Sequence, residues 1–176
     1  MSEIVVFRYG HRPVRDFRVS THLALTARAF GASRIVFTNY DSTVDKTLKD
    51  VNKRWGSDFH IEVEENWKRY FGDWKKNGGL IAHLTMYGIS FLDVVEELKP
   101  AKKLLLVVGA SKVPPGFYYQ SDYNLSVGNQ PHSEISSLAV LLYAIRGKKM
   151  LDHKPSHPEC EIIPQERGKR VKWEQS

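Results

Sequence analysis

Residues 103–108 read KLLLVV, with nothing polar after the first position. A strand apolar at successive positions is covered on both faces, as a strand is inside a parallel sheet packed by helices on either side. The segments around it alternate as such a sheet requires. Residues 3–8 (EIVVFR), 33–38 (SRIVFT), 60–64 and 80–85 (LIAHLT) are short and rich in apolar or β-branched residues, so each reads as a strand. Residues 21–30 read as a helix, with Ser20 or Thr21 as its cap, Leu23, Ala27 and Phe30 at helical spacing, and Gly31 to stop it. Residues 41–55 place Val44, Leu48, Val51 and Trp55 on one stripe. Helices are also expected over 67–75, 89–97 and 131–146, the last with Pro131 in its first turn and Ile135, Leu138, Leu142 and Ile145 as its buried face. The alternation predicts an α/β domain built on a parallel sheet.

A length of 176 residues suits one compact unit. We expect a domain over 1–150 and a polar, proline-bearing C-terminal extension over 151–176, in which EIIP and RVKW flank QERGK as a small hairpin. The longest apolar run, residues 138–145, falls far short of the roughly 18 residues of a membrane span. The N-terminal residues lack the pattern of a secretory leader. A single cysteine, Cys160, excludes an internal disulfide and a cysteine zinc cage, and points to the cytoplasm. The seven histidines show no strong metal-ligand spacing: His153 and His157 stand four apart, but Pro155 and Pro158 break any helix there, so no metal is expected. The net charge of +6 suits a polyanionic partner such as nucleic acid.

Two stretches carry candidate chemistry. In VVGASKVPPGFYYQSDYNLSVGNQPHSE, the KLLLVV strand ends at Gly109, and a second short segment, 123–127, ends at Gly128. Glycine permits close backbone approach to a ligand. Ligands of open α/β sheets sit outside the carboxyl ends of strands, and the helix start near Glu134 offers free N–H groups. Neither a Rossmann glycine fingerprint nor a Walker loop is present. The second stretch, RYGHRPVRDFRVSTHLALTAR, holds Arg8, Arg12, Arg15, Arg18 and Arg28, planar forks suited to phosphate, with Asp16 among them. Trp67, Tyr70, Phe71 and Trp74 could stack on bases, but their helical spacing reads as a core or dimer face.

GHRPVRDFRVSTHLALTARAFGA, HLTMYG, VVGASKVP and DYNLSVGNQPHSEISSLAVLL together closely resemble the archaeal tRNA cytidine-56 2′-O-methyltransferases, members of the SPOUT class. The similarity runs over residues 4–150 and rests on four motifs in order. It implies a SPOUT-type parallel sheet flanked by helices, with a C-terminal deep trefoil knot, an exception to the rule against threaded chains. It implies a homodimer, S-adenosyl-L-methionine as methyl donor and tRNA as substrate, with no membrane partner. Carried over by position, the donor site comprises Leu84, then Gly109, Ala110, Ser111, Lys112 and Val113, then Val127, Gly128, Asn129, Gln130, Pro131, His132, Ser133 and Glu134. An arginine of the first motif is implicated in related ribose methyltransferases, which ranks Arg18 first and Arg12 second.

Methyl transfer to a ribose hydroxyl requires the oxygen in line with the methyl carbon, about 3 Å away, and stabilisation of developing alkoxide charge. Arginine stays protonated, so its role is to fix the 3′ phosphate and lower the hydroxyl pKa, with phosphate or water taking the proton. His11 and His132 are alternatives for that step. The target, a T-loop cytidine paired with a D-loop guanine, requires local opening of the tRNA. Arg8, Arg12, Arg15, Arg18, Lys148, Lys149 and the basic group 167–172 are candidate backbone contacts. Two other readings stay open: a SPOUT methyltransferase of different specificity, and an RNA-binding protein that keeps the fold without the reaction.

Overall fold

The computed structural model describes residues 2–12, 16–152 and 154–174; Arg15 of the arginine loop and His153 lie outside them. The chain runs β1 (Glu3–Tyr9), α1 (Phe17–Ala29), β2 (Arg34–Phe37), α2 (Ser42–Trp55), β3 (His60–Val63), α3 (Trp67–Lys76) and β4 (Leu80–Ser90). It continues through α4 (Val95–Leu98), β5 (Lys103–Gly109), α5 (Gly116–Gln120), β6 (Tyr123–Ser126) and α6 (Glu134–Arg146), and ends in β7 (Cys160–Ile162) and β8 (Val171–Trp173). β1 to β6 form one sheet in the order β3-β2-β1-β5-β4-β6, and every neighbouring pair is parallel.

The apolar runs at the centre are explained by the two layers over them. Ile4 and Val6 of β1, with Leu104, Leu106 and Val108 of β5, face Leu23, Ala27, Val44, Leu98, Leu138 and Leu142 from α1, α2, α4 and α6. The alternate residues Val5, Phe7, Leu105 and Val107 face Trp67, Phe71 and Trp74 of α3 and Phe117 of α5. Strands buried on both sides cannot alternate apolar with polar, which is why KLLLVV reads as it does. The aromatic stripe of α3 is therefore core: Trp67 and Phe71 meet edge to face at 5.4 Å, and Trp67 lies 4.4 Å from the Phe117 ring.

The element boundaries differ from the sequence pattern at four places, each for a local reason. α1 starts at Phe17, a turn before the expected Thr21, because Ser20 N donates to Asp16 O (3.0 Å) and so lies inside the first turn. α6 starts at Glu134, not Pro131; Ser133 has extended backbone and its Oγ accepts from Ile135 N at 3.2 Å, which makes it the cap. The helix expected over 89–97 is broken, because Ile89 and Ser90 still pair with Leu125 and Ser126 of β6. Only a 3-10 turn, Phe91–Asp93, and the short α4 follow. Finally, the loop after β5 contains α5, seated by the fully buried Phe117.

β4 and β6 carry an irregularity that shapes the fold's open end. Leu125 stands opposite both Leu84 and Ile89, so residues between them bulge from the ladder. Gly88 occupies that bulge, where a Cβ would collide with the Asn124 carbonyl. The C-terminal strands β7 and β8 form an antiparallel hairpin rooted on the end of α2, where Glu159 N donates to Arg54 O at 3.0 Å and Cys160 is buried. We predict that Gly88→Ala lowers stability by about 1–3 kcal/mol in urea unfolding, an overpacking cost with backbone as the obstacle. A variant as stable as the parent would show that the bulge has room to spare.

Candidate active site

The strand order reverses between β1, whose chain turns outward to β2, and β5, which belongs to the opposite half. Parallel sheets open a crevice at the carboxyl ends beside such a switch point. A cleft of about 750 Å³ opens on the β5 side of that point, over the carboxyl ends of β4, β5 and β6, within the range of small-molecule sites. Its floor is apolar, from Leu84, Val108 and Leu125 at the ends of β4, β5 and β6. Its walls hold Gly109, Ser111, Lys112 and Val113 on one side and Val127, Gly128, Gln130, Pro131, His132 and Glu134 on the other. The two glycine-ended turns singled out by sequence thus face one space.

Three residues of those turns do not line the cleft but hold the ones that do. Asn129 Nδ2 donates to Met86 O at 2.8 Å and so ties the 127–133 turn to the β4 bulge. Ser133 caps α6. Ala110 is buried, and its N–H donates to Tyr9 O at 2.9 Å, which pins the β5 turn to the end of β1. Gly109 has no room for a side chain, because a Cβ there would lie 2.6 Å from Val113 Cγ1. Gly128 has a φ of +76°, where L side chains are strained. His132 is fixed too. Its Nε2 lies 2.6 Å from Val127 O and its Nδ1 lies 3.1 Å from Ser133 O, with Ser137 Oγ 3.4 Å from Nδ1.

Sequence reasoning missed the wall built by Thr85, Met86 and Tyr87 of the bulge and by Tyr118 and Tyr119 of α5. It also passed over His83, which lies on the cleft at 2% exposure. Asn124 Nδ2 donates to Tyr118 O at 2.8 Å, so its Oδ1 is the acceptor for His83 Nδ1 at 2.9 Å. Nδ1 of His83 therefore carries a proton. Burial, the larger influence, pulls its pKa below the ordinary histidine value, against the opposing bond to Asn124.

The arginine loop lies beside the cleft but is not the uniform basic surface its sequence suggests. Arg8, expected as a phosphate contact, is fully buried, because β1 is covered on both faces. Its Nη1 donates to Glu134 Oε1 at 3.3 Å, and its Nη2 lies 3.5 Å from Asp16 Oδ2. Asp16 is buried as well and accepts from Arg12 three ways: from the backbone N at 3.0 Å, from Nε at 3.2 Å and from Nη2 at 2.9 Å. Burial opposes ionisation of Asp16 more than any single partner favours it. The bonds from Arg12 and the charge of Arg8 together still hold its carboxyl below the ordinary range. Arg12 itself remains 40% exposed, and Arg18 is exposed on the first turn of α1. His11 Nδ1 contacts Ser20 Oγ at 3.2 Å. Lys148 and Lys149 follow the far end of α6, which at 1.5 Å per residue lies about 20 Å from Glu134.

Residues 55–172 match the model of the family described as tRNA ribose 2′-O-methyltransferase, aTrm56. The chain is 50% identical over 169 residues to the tRNA (cytidine(56)-2′-O)-methyltransferase of Archaeoglobus fulgidus, covering 96% of this chain and 98% of that protein. It is 49% identical to the enzyme of the same name from Thermococcus kodakarensis, covering 96% of each. Among solved structures it is similar to the TrmH/SpoU tRNA modifying enzyme of A. aeolicus, with a TM-score of 0.62 at 15% identity over 89% of this chain and 81% of that one. It is also similar to the SpoU methyltransferase AviRb of Streptomyces viridochromogenes in complex with AdoMet, with a TM-score of 0.57 at 16% identity over 82% and 57%.

The sign of the His83 effect on stability follows from its lowered pKa. The unfolded chain binds a proton near pH 6.5 and the folded chain does so only at lower pH, so this contribution is complete above about pH 6.5 and is lost as pH falls below it. Urea unfolding between about pH 7.5 and pH 5.5 should show a smaller acid loss in His83→Gln than in the parent. Identical pH slopes in the two proteins would mean that His83 is protonated alike in both states.

Proposed function

Because the chain belongs to the family of archaeal tRNA (cytidine(56)-2′-O)-methyltransferases, we propose that its cleft is where a methyl group passes from S-adenosylmethionine to the ribose 2′-hydroxyl of cytidine 56 in tRNA. The observation that carries this reading is the convergence of the β5 turn, the β6 turn and the start of α6 on one space, next to the arginine loop. The space suits the donor: an apolar floor for a flat base, and a wall of backbone turns with Glu134 among them for the polar and cationic parts. Leu84, Gly109, Ser111, Lys112, Val113, Val127, Gly128, Gln130, Pro131, His132 and Glu134 would hold it, with Ala110, Asn129 and Ser133 shaping the turns. When bound, S-adenosylmethionine supplies a methyl group already activated on sulfur.

What remains for the chain is to seat the ribose and ease the loss of the hydroxyl proton. Arg18 stands exposed where α1 begins and would place its cation by the 2′-oxygen, stabilising charge as it develops. Arg12 is anchored through Nε and Nη2 on a buried carboxylate, so its exposed edge is a pre-oriented clamp for the 3′ phosphate. Both arginines stay protonated, and the proton passes to phosphate or water. His132 keeps its ring nitrogens on the backbone carbonyls of Val127 and Ser133 and so holds the turn in place.

In this reading residues 1–150 form the methyltransferase domain and 151–176 an extension whose exposed basic turn, Arg167 to Arg170, adds charge for tRNA. The chain threads as a C-terminal deep trefoil knot, a reading supported by the fold it shares with the SpoU/TrmH structures. It works as a homodimer in the cytoplasm. The exposed apolar residues Ile89, Leu92, Val140 and Tyr143 supply a surface for the second copy. Among the described residues no helix is long and apolar enough to cross a membrane.

Labelled methyl from S-adenosylmethionine should arrive at cytidine 56 of a tRNA transcript and leave an alkali-resistant linkage there. Label at any other nucleotide rejects the substrate assignment. Arg18→Ala should slow transfer at least about 100-fold, the scale of losing one charge-stabilising donor, while donor affinity by calorimetry stays within several-fold. Normal turnover in that variant removes Arg18 from its role. Asn129→Ala releases the bulge from the β6 turn and should weaken donor binding about tenfold, or 1.4 kcal/mol. Unchanged affinity would place the donor away from these turns.

A further inference from the structure

Burying a guanidinium costs several kcal/mol unless its charge and its donors are both met, and Arg8 is met only in part. The residue is fully buried, yet its two ion-pair distances, 3.3 Å to Glu134 and 3.5 Å to Asp16, both exceed the 2.7–2.9 Å of a tight charge-assisted bond. Its Nε and Nη2 have no hydrogen-bond partner among the described residues. Both carboxylates that could complete it are already placed elsewhere. Asp16 spends its oxygens on Arg12, and Glu134 lies on the cleft wall with its side chain 25% exposed. Arg8 thus stands between the proposed donor site and the proposed phosphate clamp, under-satisfied on both sides.

We propose that Arg8 is a positioning residue that couples occupation of Arg12 by an RNA phosphate to the state of Glu134 in the donor cleft. A phosphate bound on the exposed edge of Arg12 shares its charge and weakens, without breaking, its bonds to Asp16. Asp16 then closes on the open Nη2 and Nε of Arg8. Arg8, neutralised from that side, slackens its bond to Glu134, whose carboxylate becomes available to a cation in the cleft. The donor carries such a cation on its amino acid end, so tRNA should tighten donor binding, and by linkage the donor should tighten tRNA binding by the same factor. The inference rests on the reading of the cleft as donor site and of Arg12 as phosphate clamp.

S-adenosylhomocysteine tests it without turnover, because it keeps the amino acid cation and has no methyl to transfer. Its affinity is measured by calorimetry with and without a saturating tRNA transcript. In the parent protein tRNA should raise the affinity at least about fivefold, the lower end of ordinary coupling between sites. Asp16→Asn and Arg8→Lys should bring that ratio to within twofold of one. Glu134→Gln, a partly exposed position less exposed to folding defects, should do the same and decides the matter if the two buried variants do not fold. A role confined to stability would lower Tm and leave the ratio intact. A parent ratio of one overturns the coupling, and so does a ratio unchanged in Glu134→Gln. Methyl transfer to cytidine 56 by the parent is assayed alongside. Transfer without coupling defeats this inference alone, whereas absence of both donor binding and transfer defeats the functional reading beneath it.

Discussion

The seven-residue parallel pairing of β1 with β5, Glu3 opposite Lys103 through Tyr9 opposite Gly109, fixes everything that follows. Both strands lie at the centre of the sheet and are buried on both faces, so a slip of one residue would exchange two unlike rows, one of them holding the buried Arg8, between unlike cores. The register therefore has little freedom. Its far end delivers two loops to the same place: the arginine loop, leaving at Gly10, and the cleft-lining turn, leaving at Gly109. Ala110 N–H on Tyr9 O continues the ladder one step beyond the strands and locks the loops together. The positions of Arg12 and of Ser111 to Val113 are consequences of sheet register more than of loop chemistry.

Much of this was legible from residues because parallel-sheet strands and amphipathic helices leave strong periodic marks. Five strands of the sheet stand where the short runs put them, although β4 continues to Ser90, and the buried stripe of α6, Leu138 and Leu142, is the one its spacing selects. What periodicity could not supply was tertiary in origin. The start of α1 depends on Asp16 O receiving Ser20 N, and Ser20 looks like a cap from its neighbours alone. The helix expected after Ile89 yields to pairing with β6, a strand more than thirty residues downstream. α5 is too short to show a period and is held by one ring, Phe117.

The candidate site was legible as two glycine-ended turns and a helix start, since glycine and proline mark backbone geometry directly. Its electrostatics were not. Five arginines in a row of loop and helix read as solvent-facing charge, yet Arg8 belongs to β1 and inherits the burial of that strand. The alternation of β1 places residue 8 on the side of α1 and α6, where Asp16 and Glu134 begin those two helices. A charge in that position is costly unless a carboxylate waits on each side. The partners lie 8 and 126 positions away, and no local pattern in the chain links them.

The bond from Asn129 to the carbonyl of Met86 joins residues 43 apart across the open end of the sheet. Contacts of such separation form late, because the intervening chain must order first. During synthesis the N-terminal half can assemble β1, β2 and β3 with α1 and α2 while the cleft still lacks one wall. The cleft is therefore complete only after Ser137 has been made and α6 has docked. A small molecule bound there would lend its free energy to the last-closing part of the molecule.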